Sequence, residues 1–164
     1  EKEGEEQLIL VENMEEANIF FINNAFETTV FRRLYCRDFI QEAQLYFPEN
    51  IFMEDIFFSQ LALVYCKSLY KVNRPLYYYF QNDNSTMHSD KIKNYYMDVH
   101  IVSTMVIEEL KERGYFEYYK PALEFVYKRK VFEDLTAYMK QTFEVFPEEN
   151  YQILREYVKN TFDN

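Results

Sequence analysis

The segment Ile56–Cys66 most constrains what this chain can fold into, because it is apolar on nearly every side. Two acidic residues, Glu54 and Asp55, come directly before it, and carboxylates favour the first turn of a helix because they face the positive end of its dipole. A helix with no polar face has to be covered by other parts of the protein. The sequence therefore predicts a buried helix that begins at the acidic pair.

A second helix is predicted over residues 90–113. Ser89 precedes it as an N-cap, and apolar residues recur at spacings of three or four up to Gly114, a residue type that commonly follows the last turn of a helix. A shorter helix is expected within residues 31–45, where apolar side chains alternate with Arg and Gln.

Two further helices are predicted toward the C-terminus. In the first, apolar residues stand four apart from Leu123 to Met139, and Pro121 takes a first-turn position where its missing N–H is tolerated. The second begins near Pro147, has Glu148-Glu149 in its first turn and places four apolar residues on one face. The last part of the chain is therefore expected to be a small helical array.

Short β-prone segments occur in the first half of the chain. Leu8–Val11 is a candidate buried strand, Ile19–Ile22 is a further apolar run, and residues 68–73 and 76–81 are β-prone runs joined at Arg74-Pro75. These patterns predict a mainly α fold of the α+β kind, with a few short strands followed by a helical array. We expect two parts, residues 1–88 and residues 89–164.

The charge of the chain excludes some classes of partner. Its 18 basic and 28 acidic residues give a net charge of −10, and residues 1–16, with seven Glu and one Lys, contribute −6 of it. A nucleic-acid-binding protein is expected to carry a basic surface instead. No apolar run is long enough to span a bilayer, and the charged start lacks the apolar core of a signal peptide. We therefore expect a cytoplasmic protein that binds no nucleic acid.

Several signatures of chemistry are absent from the sequence. It has no Gly-rich phosphate loop, no GxSxG and no HExxH, and two lone histidines do not make a zinc site. Cys36 and Cys66 have apolar neighbours and no CxxC spacing, so we predict reduced core thiols. His100 lies on the apolar pattern of the helix over 90–113 and is predicted to be a partly buried packing residue. The acidic pair Glu54-Asp55 remains as a candidate site.

Five short motifs surround that pair and occur in a set order along the chain. They are Phe31-Arg32-Arg33-Leu34-Tyr35, Phe47-Pro48-Glu49, Met53-Glu54-Asp55-Ile56-Phe57-Phe58, Lys71-Val72-Asn73-Arg74-Pro75-Leu76-Tyr77-Tyr78-Tyr79 and Asn84-Ser85-Thr86-Met87. The order resembles the C-terminal half of bacterial family-2 glycosyltransferases, over about residues 31–90. Three positions depart from the usual family pattern. Phe31 replaces a Trp, Arg33 replaces a Lys, and Phe80-Gln81 stand where an Arg commonly follows the tyrosines.

The resemblance implies an inverting transferase of the GT-A type, in which an acceptor hydroxyl attacks a nucleotide-sugar donor directly. A sugar hydroxyl needs a carboxylate within hydrogen-bond reach to take its proton. Asp55 is the expected general base, and Glu54 is expected to orient the acceptor or to hold the neighbouring loop. The resemblance also assigns substrate binding to Arg33, Ser85 and His88.

The same resemblance places donor binding in a part that this sequence does not show. Family members bind the nucleotide and a divalent cation, Mn²⁺ or Mg²⁺, through an N-terminal half with an Asp-x-Asp motif, and no Asp-x-Asp occurs here. We therefore expect the chain to be the C-terminal portion of a longer enzyme, inactive alone and without a metal site of its own. The expected partners are a nucleotide-sugar donor and a glycan acceptor, and self-association or peripheral membrane contact through the helical tail stays open.

Each candidate residue also has a plainer interpretation. Glu54-Asp55 can be a helix-start charge pair, His88 a solvated loop residue, and Arg33 part of a solvated basic cluster with Arg32 and Arg37. The Tyr77-Tyr78-Tyr79 run can stack on a sugar, although tyrosines that bridge core and solvent are the simpler account. The rival function is a non-enzymatic helical module that binds another protein.

Overall fold

The computed structural model describes residues 6–80 and 95–163. Within them the chain is mainly helical and has one small antiparallel sheet. The elements in chain order are β1 Gln7–Leu10, α1 Met14–Asn24, a 3-10 turn Val30–Arg32, α2 Arg37–Glu42, α3 Glu54–Tyr65, β2 Ser68–Lys71, α4 Asp98–Glu112, α5 Phe116–Val126, a π-helical segment Tyr127–Glu133, α6 Asp134–Thr142 and α7 Glu148–Phe162. The fold class predicted from the sequence, mainly α with short strands, is confirmed at this level.

Helix α3 is the centre of the core. All nine residues from Ile56 to Val64 are buried, which confirms the predicted buried helix and its start at the acidic pair. Helices α1 and α4 pack against it, and the Tyr119 hydroxyl of α5 donates a hydrogen bond to the Val64 carbonyl at 3.1 Å. Elements from before and after residue 88 therefore share one hydrophobic core.

The apolar run Ile19–Ile22 lies in helix α1. The Asn13 side chain caps this helix by accepting a hydrogen bond from the Glu16 N–H at 3.0 Å, and the Glu16 carboxylate accepts one from the Glu12 N–H at 2.9 Å. These reciprocal bonds satisfy backbone donors that a helix start leaves unpaired. The buried ring of Phe21 then meets Tyr119 edge-on at 5.8 Å, which joins α1 to α5.

Helix α4 is shorter than the sequence predicts. It begins at Asp98, and residues 95–97 form a turn, while Ser89 and Asp90 lie outside the described residues. Its end matches the prediction: Gly114 has a φ of +77°, and the N–H groups of Tyr115 and Gly114 bond to the carbonyls of Leu110 and Lys111 at 2.7 and 3.1 Å. This pattern is a Schellman motif, in which a left-handed residue closes the helix.

The predicted helix around residues 121–139 is part of a longer continuous one. It begins at Phe116, so Pro121 lies inside α5 and its predicted first-turn position is wrong. The five apolar residues four apart are all buried, as listed here: Leu123, Tyr127, Val131, Leu135 and Met139. On an α-helix such a stripe would drift by about 40° at each step. The π-helical segment has wider i→i+5 turns, which counter that drift and keep the stripe on the core.

Helix α7 agrees with its prediction. It begins at Glu148, directly after Pro147, with Glu148 and Glu149 in its first turn. Leu154 and Phe162 of the predicted apolar face are buried, and Tyr151 and Val158 of the same face are half-buried. Helix α7 packs against α5 and the π-helical segment, so it covers the first and middle parts of the long helix.

The strand predictions hold only in part. Leu8–Val11 does supply most of β1, which pairs with β2 in the register Gln7↔Lys71 to Leu10↔Ser68. Leu8 and Leu10 are exposed, however, so the prediction of a buried strand is wrong. Residues 76–80 of the second β-prone run form no strand, and within residues 31–45 the α-helix covers only Arg37–Glu42.

The two cysteines are free, but only one approaches the core. Cys36 is exposed, which contradicts its predicted core position, because it is the N-cap of α2, in extended backbone, and not on a packed face. Cys66 is half-buried just after α3. Burial raises the pKa of the Cys66 thiol, so the uncharged form is favoured.

Gly114 gives a test of the α4–α5 junction. A Cβ at this position would meet nothing within 4 Å, so the cost of Gly114→Ala is the cost of a side chain in the left-handed region. We expect Gly114→Ala to lower the free energy of unfolding by about 1 kcal/mol. Urea denaturation followed by circular dichroism measures it. Gly114→Asn is the control, because Asn tolerates this conformation, and equal losses in both variants would contradict the explanation.

Candidate functional site

Glu54 and Asp55 begin helix α3, but the structure gives the two carboxylates different surroundings. Glu54 is exposed and Asp55 is half-buried. Burial raises the pKa of Asp55 above its ordinary value, and the neighbouring charge of Glu54 raises it further. Backbone N–H groups of Asp55 and Ile56 lower the pKa, but by less. Burial outweighs these backbone hydrogen bonds, so Asp55 binds a proton more readily than an exposed aspartate.

The chain just before the acidic pair has an unusual backbone. Gln44, Asn50 and Met53 have φ values of 51°, 58° and 63°, in the left-handed region that residues other than glycine rarely adopt. Met53 is the N-cap of α3, immediately before Glu54. Such conformations cost free energy and persist where surrounding contacts hold them. One such contact is the stacking of Phe47 on Phe58 of α3, with ring centroids 4.3 Å apart.

Arg33 does not join the acidic pair. Its guanidinium donates a hydrogen bond to the Glu27 carbonyl, and the neighbouring Arg32 pairs with the Glu27 carboxylate at 2.9 Å. Arg37 pairs with Asp38 at 3.7 Å. Arg32 and Arg33 thus share Glu27 as a partner, whereas Arg37 pairs with its own neighbour. The other two predicted substrate-binding residues, Ser85 and His88, lie outside the described residues.

Two tyrosines of the Tyr77-Tyr78-Tyr79 run form a surface cluster with Phe31 of the first motif. The rings of Tyr77 and Tyr79 lie 4.8 and 5.5 Å from that of Phe31, and Tyr78, on the opposite side, is 87% exposed. Phe31 itself is exposed, so these tyrosines pack at the surface and do not reach the core. We call Phe31, Tyr77 and Tyr79 the aromatic cluster. The sequence analysis predicts no contact between Phe31 and the two tyrosines, although all three residues belong to the five motifs.

The aromatic cluster is connected to the helix that carries Asp55. The Ser59 hydroxyl of α3 donates a hydrogen bond to the Thr28 carbonyl at 2.9 Å, three residues before Phe31. Ser59 and Asp55 are four residues apart and therefore lie on the same face of α3. Thr28 thus contacts the face of α3 on which Asp55 lies, one turn further along the helix.

Residues 6–80 and 95–163 include no group of three His, Cys, Asp or Glu side chains that could hold a metal ion. A surface groove of about 280 Å³ lies on α5 and the π-helical segment, lined in part by Glu124, Phe125 and Lys128, and it does not include the acidic pair. No helix in these ranges is both long and apolar enough to cross a bilayer.

His100 is half-buried on α4, as predicted. Its Nδ1 lies 2.6 Å from the Tyr127 hydroxyl, and its ring meets Tyr127 and Tyr157 edge-on at centroid distances of 6.0 and 5.3 Å. Burial lowers the pKa of His100, since the charged imidazolium would lose hydration there. The neutral ring is therefore the form that fits this aromatic environment.

Comparison of the chain with protein-family models, with curated proteins and with solved structures finds no match. The functional proposal therefore rests on the order of the five motifs in the sequence and on the contacts and charges of the described residues.

The lowered pKa of His100 predicts how stability depends on pH. The unfolded chain binds a proton at His100 near the ordinary value of about 6.5, while the folded chain resists it. Stability from this residue is therefore present above that pH and is lost as the pH falls. We expect the free energy of unfolding to decrease from about pH 7 to about pH 5 more steeply in the parent chain than in His100→Asn. Urea titrations measure it.

The His100→Asn variant keeps a polar group near the position of Nδ1 but does not titrate in this range. All other ionisable groups are common to both proteins, so the difference between the two pH profiles belongs to His100. Parallel profiles would contradict the prediction.

Proposed function

We propose that this chain supplies the general base of an inverting glycosyltransferase, and that the base is Asp55. The observation that carries the proposal is the half-buried Asp55 carboxylate at the start of α3, whose pKa is raised by burial. Among the described residues, no cation is one of the groups that shift this pKa. A carboxylate with increased proton affinity is suited to general base catalysis, because efficiency rises as the pKa of the base approaches the working pH.

The proposed reaction is a direct displacement. The acceptor hydroxyl oxygen bonds to the anomeric carbon of the donor sugar as the bond from that carbon to the nucleoside diphosphate breaks. The hydroxyl proton passes to the Asp55 carboxylate, and the nucleoside diphosphate leaves with the electron pair of the broken bond. Attack occurs on the face opposite the leaving group, so the anomeric configuration inverts.

Glu54 has a different role in the proposal. Successive residues on a helix are about 100° apart, so the two carboxylates do not face the same point. Glu54 is exposed, and its charge raises the pKa of Asp55. We assign to Glu54 the electrostatic support of the base and the orientation of the acceptor.

The aromatic cluster is the feature that supports a glycan acceptor. The aromatic cluster belongs to a segment that is hydrogen-bonded to the same face of α3, and sugars commonly stack on exposed aromatic rings. The nucleotide-sugar donor and a divalent cation are assigned to another part of the protein, because the sequence holds no Asp-x-Asp. The chain alone is then inactive. Two free cysteines agree with a cytoplasmic enzyme.

The test is sugar transfer by the full-length protein with Asp55→Asn, using a panel of UDP-, GDP- and dTDP-sugars with Mn²⁺ or Mg²⁺. We expect turnover to fall by about two to four orders of magnitude, the usual contribution of a positioned base, with little change in the free energy of unfolding. NMR of the product gives the anomeric configuration.

Glu54→Gln is the matched control, since it removes a neighbouring carboxylate of the same turn. A much smaller loss is expected for it. Turnover in Asp55→Asn at the parent rate, or retention of configuration, would refute the assignment.

A second candidate is a non-enzymatic module that binds another protein. It is favoured by the exposure of several large apolar residues outside the core: Leu34, Leu76, Tyr78 and Phe80. Such a surface suits a protein partner or a second copy of the chain. Sedimentation equilibrium of the chain beside Tyr78→Asp distinguishes these cases. A dimer that this substitution dissociates would support self-association, and a monomer throughout would exclude it.

A further inference from the structure

The connection between α2 and α3, residues 43–53, is attached at its first end by Arg113 near the C-terminus of α4. Arg113 Nη1 donates to the Ala43 carbonyl at 2.7 Å, and Nη2 donates to the Gln44 carbonyl at 3.5 Å. These carbonyls follow the last turn of α2, where intrahelical donors are lacking. One guanidinium thus satisfies two neighbouring backbone acceptors.

The Arg113 side chain is itself held in place. Its Nε donates to the Glu109 carboxylate at 2.6 Å, and its guanidinium lies 5.3 Å from the centroid of the Tyr65 ring. Tyr65 is the last residue of α3. Arg113 therefore joins the end of α2, the end of α3 and the end of α4 through one side chain.

The second end of the connection is attached at the other end of α4. The Phe52 N–H donates to Asp98 Oδ2 at 2.9 Å, and the Phe52 ring stacks on Tyr95 at 4.7 Å. Asp98 is the first residue of α4, and Phe52 stands two residues before Glu54. A carboxylate acceptor makes a stronger hydrogen bond to an N–H than a neutral acceptor does.

Three residues of this connection have left-handed backbones. Gln44 lies at the first attachment, Asn50 lies between the two attachments, and Met53 directly follows Phe52 at the second. Their conformations need external support, and Met53 sets the direction in which α3 starts. Helix α4 has 15 residues and is about 22 Å long, so it is a stiff support for both ends.

We propose that Asp98 and Arg113 are positioning residues for the Asp55 carboxylate. They hold the two ends of the connection on α4, and the connection in turn sets the position of Met53 and of the first turn of α3. The inference rests on the proposed function, because this positioning serves catalysis only if Asp55 is the general base. Neither residue touches the reacting atoms.

The main test compares Asp98→Ala with Asp98→Asn. Both substitutions remove the same charge, but only Ala removes the oxygen that accepts from the Phe52 N–H. In the full-length enzyme we expect kcat to fall about ten- to a hundred-fold in Asp98→Ala with KM for the donor unchanged, because a small misplacement of a catalytic group costs rate. Asp98→Asn should recover most of the loss. Equal kcat in the two variants would overturn the proposal.

A second readout needs no activity. Carbon-13 NMR of the 164-residue chain follows the titration of the Asp55 carboxyl. Among the described residues, Glu54 is the charged neighbour that shifts its pKa. In Asp98→Ala we expect the pKa of Asp55 to move toward its ordinary value, because a released first turn hydrates the carboxyl. In Asp98→Asn it should keep its elevation to a greater extent. Identical titrations in both variants would contradict the positioning role.

Arg113→Met and Arg113→Lys repeat the comparison at the other end. Met keeps the apolar stem and helix propensity but donates no hydrogen bond, while Lys keeps the charge and one donor. We expect the Asp55 titration to shift in Met and less in Lys, in chains whose circular dichroism is that of the parent. If the full-length enzyme shows no Asp55-dependent transfer, the proposed function fails, whereas these titrations still decide whether Asp98 and Arg113 position Asp55.

Discussion

The structure depends on the burial of α3. Nine consecutive residues of this helix are covered, and each neighbouring helix has its position because it covers one side of it. Burial of that much apolar surface is the main favourable contribution to folding. The burial of α3 also determines the surroundings of the acidic pair, because Glu54 and Asp55 lie at the start of the helix, where exposed residues give way to buried ones.

That position explains why two adjacent carboxylates differ. Asp55 precedes Ile56 and is drawn partly into the core, whereas Glu54 stays exposed. Desolvation opposes the charged form of Asp55 more than the helix start favours it, so its pKa is raised. The same pair could serve as an ordinary helix start in an exposed helix. Its chemical interest here comes from the buried helix that follows it.

The candidate site could be predicted from the sequence only where the signal is local. The sequence indicates Glu54 and Asp55 because an acidic pair before an apolar run has a local signature, and it indicates Gly114 because a helix end has one. Asp98 and Arg113 have no local signature, since their partners Phe52 and Ala43 are 46 and 70 residues away. Apolar neighbours predict core positions for Cys36 and Leu8, but adjacency in sequence does not decide which side of a segment is buried.

The sequence by itself determined three features that have a clear local pattern. They are the buried helix α3, the end of α4 at Gly114, and the apolar stripe of residues four apart from Leu123 to Met139. Only the tertiary structure decided that a π-helical segment keeps this stripe on the core, and that Phe31 meets Tyr77 and Tyr79 at the surface. The local pattern of apolar residues indicates which side chains must be buried. Which groups provide it depends on contacts between distant segments, and these form only when the helices pack together.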